Sequence, residues 1–127
     1  MKKIIFLLML ASIGFSINTS AQNAINSIHF YDVKNVEMEK TYLASIKEIN
    51  AIIVEIGFPK NYYSCYKLSA SDTTKIYRSC TIGHWNSESE YKAIHDHPKF
   101  KAWAAKNKDI NAVYVSDQLY RRFYLLN

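Results

Sequence analysis

The stretch from Trp85 to Trp103 restricts what this chain can fold into more than any other. A tryptophan closes an apolar, β-branched run, and a polar helix start follows at once. Ser87 with Glu90 three residues on has the spacing of a capping box, in which a hydroxyl and a carboxylate satisfy backbone N–H groups that a first helical turn leaves without partners. The His97-Pro98 step then interrupts the helix, because proline disfavours helical geometry in the residue before it. A second helical piece begins at Pro98, carries Phe100 and Trp103, and runs into the polar stretch Lys106–Asp109. A strand that ends against a short, capped, broken helix belongs to a mixed α+β domain.

The remaining segments extend that frame. Ser27–Lys34 mixes β-branched and aromatic residues and reads as a first strand. Asn35 can cap a long helix in which Leu43, Ile46, Ile49, Ile53 and Ile56 share one face, and Gly57 followed by Phe58-Pro59 stops it. Tyr62–Leu68 and Lys75–Trp85 are two strands around the polar turn Ser69–Thr74, and Leu119–Leu126 is a last strand; Ile110–Asp117 carries no clear signal. The order strand, helix, strand, strand, helix, strand is the split βαβ pattern of a ferredoxin-like α+β domain with an antiparallel four-stranded sheet. Helices would cover one face of that sheet. The other face carries large rings as well, and pairing two sheets in a homodimer would bury it.

The first residues have a different logic. Met1-Lys2-Lys3, an apolar run to Ile17 and the small residues up to Ala21 read as a signal peptide over residues 1–21, which predicts export to the periplasm or beyond and a domain over 22–127. Without Lys2 and Lys3 the formal charge falls from +5 to +3, and the basic residues form no block, so nucleic acid is not an expected partner. In an oxidising compartment Cys65 and Cys80 are candidates for a disulfide. A hairpin closing through Ser71–Thr74 would set them opposite each other, close enough to bridge, and two buried free thiols are the alternative.

Trp85, Ser87, Glu88, Glu90, Ala93 and Pro98, with Gly57 before the second strand, resemble the antibiotic biosynthesis monooxygenase-like group of the dimeric α/β-barrel superfamily. The resemblance implies a dimeric barrel and cofactor-free oxygenation of an aromatic or quinol-like substrate. The family's helix histidine stands nine residues after the tryptophan, where this chain has Ile94; His95 is one step further, a turn of about 100° around the helix. Ile94 and Ala104 stand where haem-degrading relatives have tryptophan and histidine, and the expected first strand has no asparagine, so haem chemistry is not carried over.

His84, His95 and His97 are expected to gather near the top of the sheet. An imidazole titrates near neutrality and can take a proton from a phenol or quinol, which makes His84 and His95 the candidate catalytic residues; surface or capping roles are the alternative. The His95-X-His97 spacing is not the i, i+4 pair that sets two metal ligands on one helical face, and no metal site is expected. All ten tyrosines lie beyond the leader. Tyr31, Tyr62, Tyr66 and Tyr91, with His29, Trp85 and Trp103, are candidate walls for a planar aromatic ligand, held by stacking and a few hydrogen bonds. No glycine loop that would cradle a phosphate is present, so no nucleotide cofactor is expected. A non-catalytic binding or interaction domain on the same scaffold is the alternative function.

Overall fold

The computed structural model describes residues 23–73, 75–115 and 119–126. The expected leader at 1–21, Thr74 of the turn, and Asp117 lie outside the described residues. Eight elements follow in order: β1 (Ile25–Tyr31), α1 (Val36–Glu55), β2 (Tyr62–Lys67), β3 (Ser79–Trp85), α2 (Glu88–Asp96), α3 (Pro98–Lys106), α4 (Lys108–Val115) and β4 (Leu119–Tyr124). The strands form one antiparallel sheet in the order β2-β3-β1-β4, and the fold is ferredoxin-like α+β as the element order implies.

Local chemistry sets the ends of α1. Asn35 accepts from the Met38 N–H at 2.9 Å, and Glu37 and Glu39 sit in the first turn, where they favour the helix dipole. At the other end the Phe58 N–H donates to the Ile53 carbonyl and the Gly57 N–H to that of Val54, a Schellman closure. Gly57 has φ +96°, the left-handed conformation that closure requires. The buried face holds Tyr42, Ile46, Ile49 and Ile53. Leu43, expected in it, is 45% exposed, and Tyr42 takes its place because its hydroxyl finds a buried partner in Thr81.

The capping box at α2 is made on one side: the Glu90 N–H donates to Ser87 Oγ at 3.1 Å. The Glu90 carboxylate instead accepts from the side-chain amides of Asn61 and Asn86, and the Asn86 N–H donates to Asn61 Oδ1. The buried Asn61 therefore ties the entry of β2 to the end of β3. His97 ends α2 and caps α3, with Nδ1 accepting from the Lys99 N–H. The segment without a clear signal is largely α4.

Trp85 is buried at the end of β3, and its indole lies over Gly83. A Cβ at Gly83 would fall 2.5 Å from the indole and 2.6 Å from Ser27 Oγ, so only glycine leaves the ring its place. The indole N–H donates to Ser27 Oγ at 2.9 Å.

The hairpin register corrects two expectations. β2 and β3 pair Cys65 with Thr81 and Tyr66 with Cys80, one residue away from a Cys65–Cys80 pair. Because alternate residues face opposite sides, Cys65 turns toward the helices and Cys80 away from them, and both are free thiols with no disulfide between them. β3 also starts later than expected. The Tyr77 and Arg78 N–H groups are taken by the Asp32 carboxylate at 2.9 Å each, so the chain before Ser79 joins β1's end through a side chain and not through the ladder.

Candidate functional site

A cavity of about 410 Å³ lies between the sheet and the helices, within the size range of small-molecule sites. Its sheet side comes from Ser27, His29 and Tyr31 of β1, Tyr63 of β2, Thr81 of β3 and Tyr120 of β4; Tyr42 and Ile46 of α1, Tyr91 and His95 of α2, Phe100, Trp103 and Ala104 of α3, and Asn111 of α4 complete it. Among the described residues no lysine, arginine or carboxylate lines it, and the Arg122 guanidinium stands 5.6 Å from the Tyr91 ring that does. Its polar groups are phenols, imidazoles, hydroxyls and an amide, which suits a neutral, ring-shaped ligand.

One end of the cavity is fixed by Thr81. Its Oγ1 is hydrogen bonded to Tyr42 at 2.8 Å, to Tyr31 at 3.1 Å and to Cys65 Sγ at 3.4 Å. The two tyrosine rings meet edge to face at 5.2 Å. Burial, then the neighbouring Tyr42, pushes the Tyr31 phenol far above its usual range, and burial pushes the Cys65 thiol up, so this end stays uncharged.

His95 dominates the other end. Its Nδ1 lies 2.7 Å from the Tyr91 carbonyl oxygen, an acceptor only, so Nδ1 carries the proton and Nε2 carries the lone pair. Nε2 meets the Tyr63 hydroxyl at 3.3 Å. The ring is wedged against Trp85 at 5.0 Å, Tyr91 at 4.0 Å and Phe100 at 4.4 Å. Burial holds its proton affinity below that of an ordinary imidazole, against the opposing pull of the Tyr91 carbonyl and Asp96, with His29 adding to the fall. The result is a neutral, oriented base facing a cavity. His29 stands elsewhere on the same wall, 4.6 Å from the Tyr120 ring, whose phenol is pushed up to about 12 chiefly by burial.

Of the residues picked out from the sequence, His29, Tyr31, Tyr91, His95 and Trp103 line this cavity. Trp85 stands behind it as the support of His95. His84, Tyr62 and Tyr66 are on the opposite face of the sheet, which overturns their assignment to the same site. His84 stacks on Tyr62 at 4.5 Å and its Nε2 is 2.7 Å from Ser64 Oγ; Tyr62 and Tyr66 are 47% and 53% exposed. His97 is a helix cap, the capping role open to a histidine at a helix end. The displacement of the helix histidine also resolves: Ile94 fills the core and His95, one step round, reaches the cavity. β1 includes Asn26, paired with His84 and Phe123, on the side away from the cavity. Tyr42, Tyr63, Thr81 and Tyr120 were not singled out, and strand alternation in the observed register is the signal that places the last three with Trp85's side. Among the described residues no three histidine, cysteine or carboxylate side chains gather as a metal site.

No protein-family profile matches the chain, and no curated protein is similar to it in sequence. Solved structures do match. A dimeric ferredoxin-like protein of unknown function from Thermobifida fusca superposes with a TM-score of 0.59 at 18% identity, covering 82% of this chain and 92% of that one. A DABB family protein with a ferredoxin-like fold from Mesorhizobium loti gives 0.56 at 15% identity, covering 84% and 100%. A candidate antibiotic biosynthesis monooxygenase from Bacteroides thetaiotaomicron gives 0.52 at 13% identity, covering 84% and 90%. The resemblance read between Trp85 and Trp103 thus holds at the level of fold: the chain has the ferredoxin-like architecture found in DABB and antibiotic biosynthesis monooxygenase-like proteins.

Proposed function

We propose that this protein binds a neutral, planar hydroxy-aromatic or quinol-like molecule in the helix-side cavity and oxygenates it without a cofactor, His95 acting as the base. The observation that carries this reading is the state of His95, whose Nδ1 is held by the Tyr91 carbonyl so that a neutral Nε2 faces a cavity walled by phenols. Loss of the substrate's hydroxyl proton to that base spreads negative charge into the ring. The electron pair at a ring carbon then forms a bond to molecular oxygen, the resulting peroxide anion takes a proton from the imidazolium to become a hydroperoxide, and its loss of water with the remaining carbon-bound hydrogen leaves a carbonyl. One oxygen atom enters the product and the other leaves as water. Trp85, Phe100 and Tyr91 fix the imidazole, and the Thr81 hub fixes the far wall.

The same reading includes a homodimer and export. The sheet face away from the helices carries Ile28, Phe30, Ile82, Tyr62, Tyr66, Leu119 and Phe123, apolar surface that a second copy would cover; the Thermobifida fusca structure is named as dimeric. The leader-like residues 1–21 support export. Oxygen uptake and product formation with a panel of quinols test the function. Turnover that disappears in His95→Ala supports it, whereas a molecule retained and released unchanged from both proteins makes this a binding domain.

A further inference from the structure

We propose that Tyr63 carries the proton between the ligand's hydroxyl and His95, so that the base of this site is a tyrosine–histidine relay and not the imidazole alone. The inference rests on the reading of the cavity as a hydroxy-aromatic site. Tyr63 and His95 both line the cavity, and the Tyr63 hydroxyl occupies the lone pair of Nε2, the atom a ligand would otherwise have to reach.

The position of Tyr63 is built. Its backbone is gripped from α1 by the Asn50 amide, which accepts from the Tyr63 N–H at 2.7 Å and donates to the Tyr63 carbonyl at 2.8 Å. Its ring stands edge to face on Trp85 at 5.0 Å, and Trp85 also supports His95. Base and phenol therefore share one wall and one anchor, the Trp85 indole, and Asn50 holds Tyr63 besides. The other titratable groups near His95 are His29 on β1 and Tyr91 and Asp96 on α2. None of them is hydrogen bonded to Nε2 among the described contacts.

The transfer balances without a charged tyrosine. As the ligand's O–H bond breaks, its proton joins Tyr63 Oη while the proton already on Oη passes to Nε2. The products are a ligand oxyanion, a neutral Tyr63 that now donates to that oxyanion and accepts from Nε2–H, and an imidazolium whose Nδ1–H stays on the Tyr91 carbonyl. Burial drives the Tyr63 phenol well above its usual range, which disfavours a tyrosinate and requires the two proton movements to be concerted.

Nitrophenols graded in acidity test the relay without any oxygenation, because their ionised forms absorb in the visible. Binding is read by equilibrium dialysis and ionisation of the bound probe by absorbance, in the unsubstituted protein, Tyr63→Phe, His95→Ala and the double variant. Tyr63→Phe keeps the ring on Trp85 and removes only the hydroxyl. The expected result, at probe concentrations that dialysis shows to fill each protein, is loss of the ionised band in Tyr63→Phe, equal to the loss in His95→Ala, and no further loss in the double variant, since two members of one relay are not additive. A band that persists in Tyr63→Phe but not in His95→Ala overturns the relay and leaves His95 as a direct base. Additive losses also overturn it. Probes that bind none of the four proteins overturn the reading of the cavity, and the relay with it. Nitrogen-15 spectra of the ligand-free protein give a second check: the Nε2 resonance of His95 shifts in Tyr63→Phe, and an unmoved resonance overturns the hydrogen bond on which the relay stands.

Discussion

His84 and His95 come from the same short stretch of sequence, and burial lowers the proton affinity of both, yet the sheet separates them. His95 lies on the helix side with its tautomer fixed by a main-chain carbonyl and its other nitrogen bonded to the Tyr63 hydroxyl at a cavity wall. His84 lies on the open side, stacked on Tyr62 and bonded to Ser64, among rings that face no helix. Side-chain type does not distinguish them. What distinguishes them is strand parity at His84 and helix phase at His95, which decide whether an imidazole meets a pocket or a surface.

The largest expected effect opposes these two residues directly. His95→Ala lowers quinol oxygenation by about 100-fold or more, the usual scale for a positioned base, while His84→Ala leaves turnover per folded protein unchanged. Steady-state oxygen uptake measures both, and equal losses would break the distinction between the faces. Next in size is association. Phe30→Asp sets a carboxylate on the open face, and light scattering is expected to show a monomer that keeps its helical circular dichroism. Gly83→Ala acts on the helix side instead, where the added methyl collides with the Trp85 indole; a loss of roughly 1–3 kcal/mol in urea unfolding is expected.

A smaller effect follows from acid. The folded value of His95 lies below the unfolded value of about 6.5, so the unfolded chain takes up a proton first as pH falls. Stability is full above that value, declines as pH drops through it, and levels off once the folded imidazole is protonated too. Melting curves between about pH 7 and about pH 5 are expected to converge in His95→Gln, with a lesser change in His84→Gln, which is more exposed. The smallest effect is none: dithiothreitol leaves the melting temperature unchanged, because Cys65 and Cys80 sit on different faces.

The fold was legible because its signals are local. Asn35, Gly57, Ser87 and the His97-Pro98 step each act within a turn, and each ends or starts a helix where the sequence implies. The site was legible only in part, because it depends on a register set over distance. A hairpin closing one residue earlier would turn Tyr62 and Tyr66 inward beside Trp85 and bring the two cysteines together; the observed register turns Tyr63 and Cys65 inward. Short-range patterning cannot choose between these registers, since β2 carries tyrosine on either parity, Tyr62 and Tyr66 on one and Tyr63 on the other. The Asp32 carboxylate and the Thr81 hydroxyl hold the observed one, through partners 45 residues away in sequence for the Asp32–Tyr77 bond and 39 for Tyr42–Thr81.

The grip of Asn50 on Tyr63 also governs how copies of this protein can join. β2 and β4 are the two rims of the sheet, and an unguarded rim recruits strands from other molecules. At Tyr63 the main-chain donor and acceptor are both occupied by a side chain of the same molecule, so the β2 rim is plugged at that point. The β4 rim has Phe123, Tyr124 and Leu125 at half exposure. Strand addition from β4 of one copy to β2 of the next would repeat without end, and the plug obstructs it; contact between like surfaces about a twofold axis closes on itself. A single amide thus stands in the way of a growing fibre.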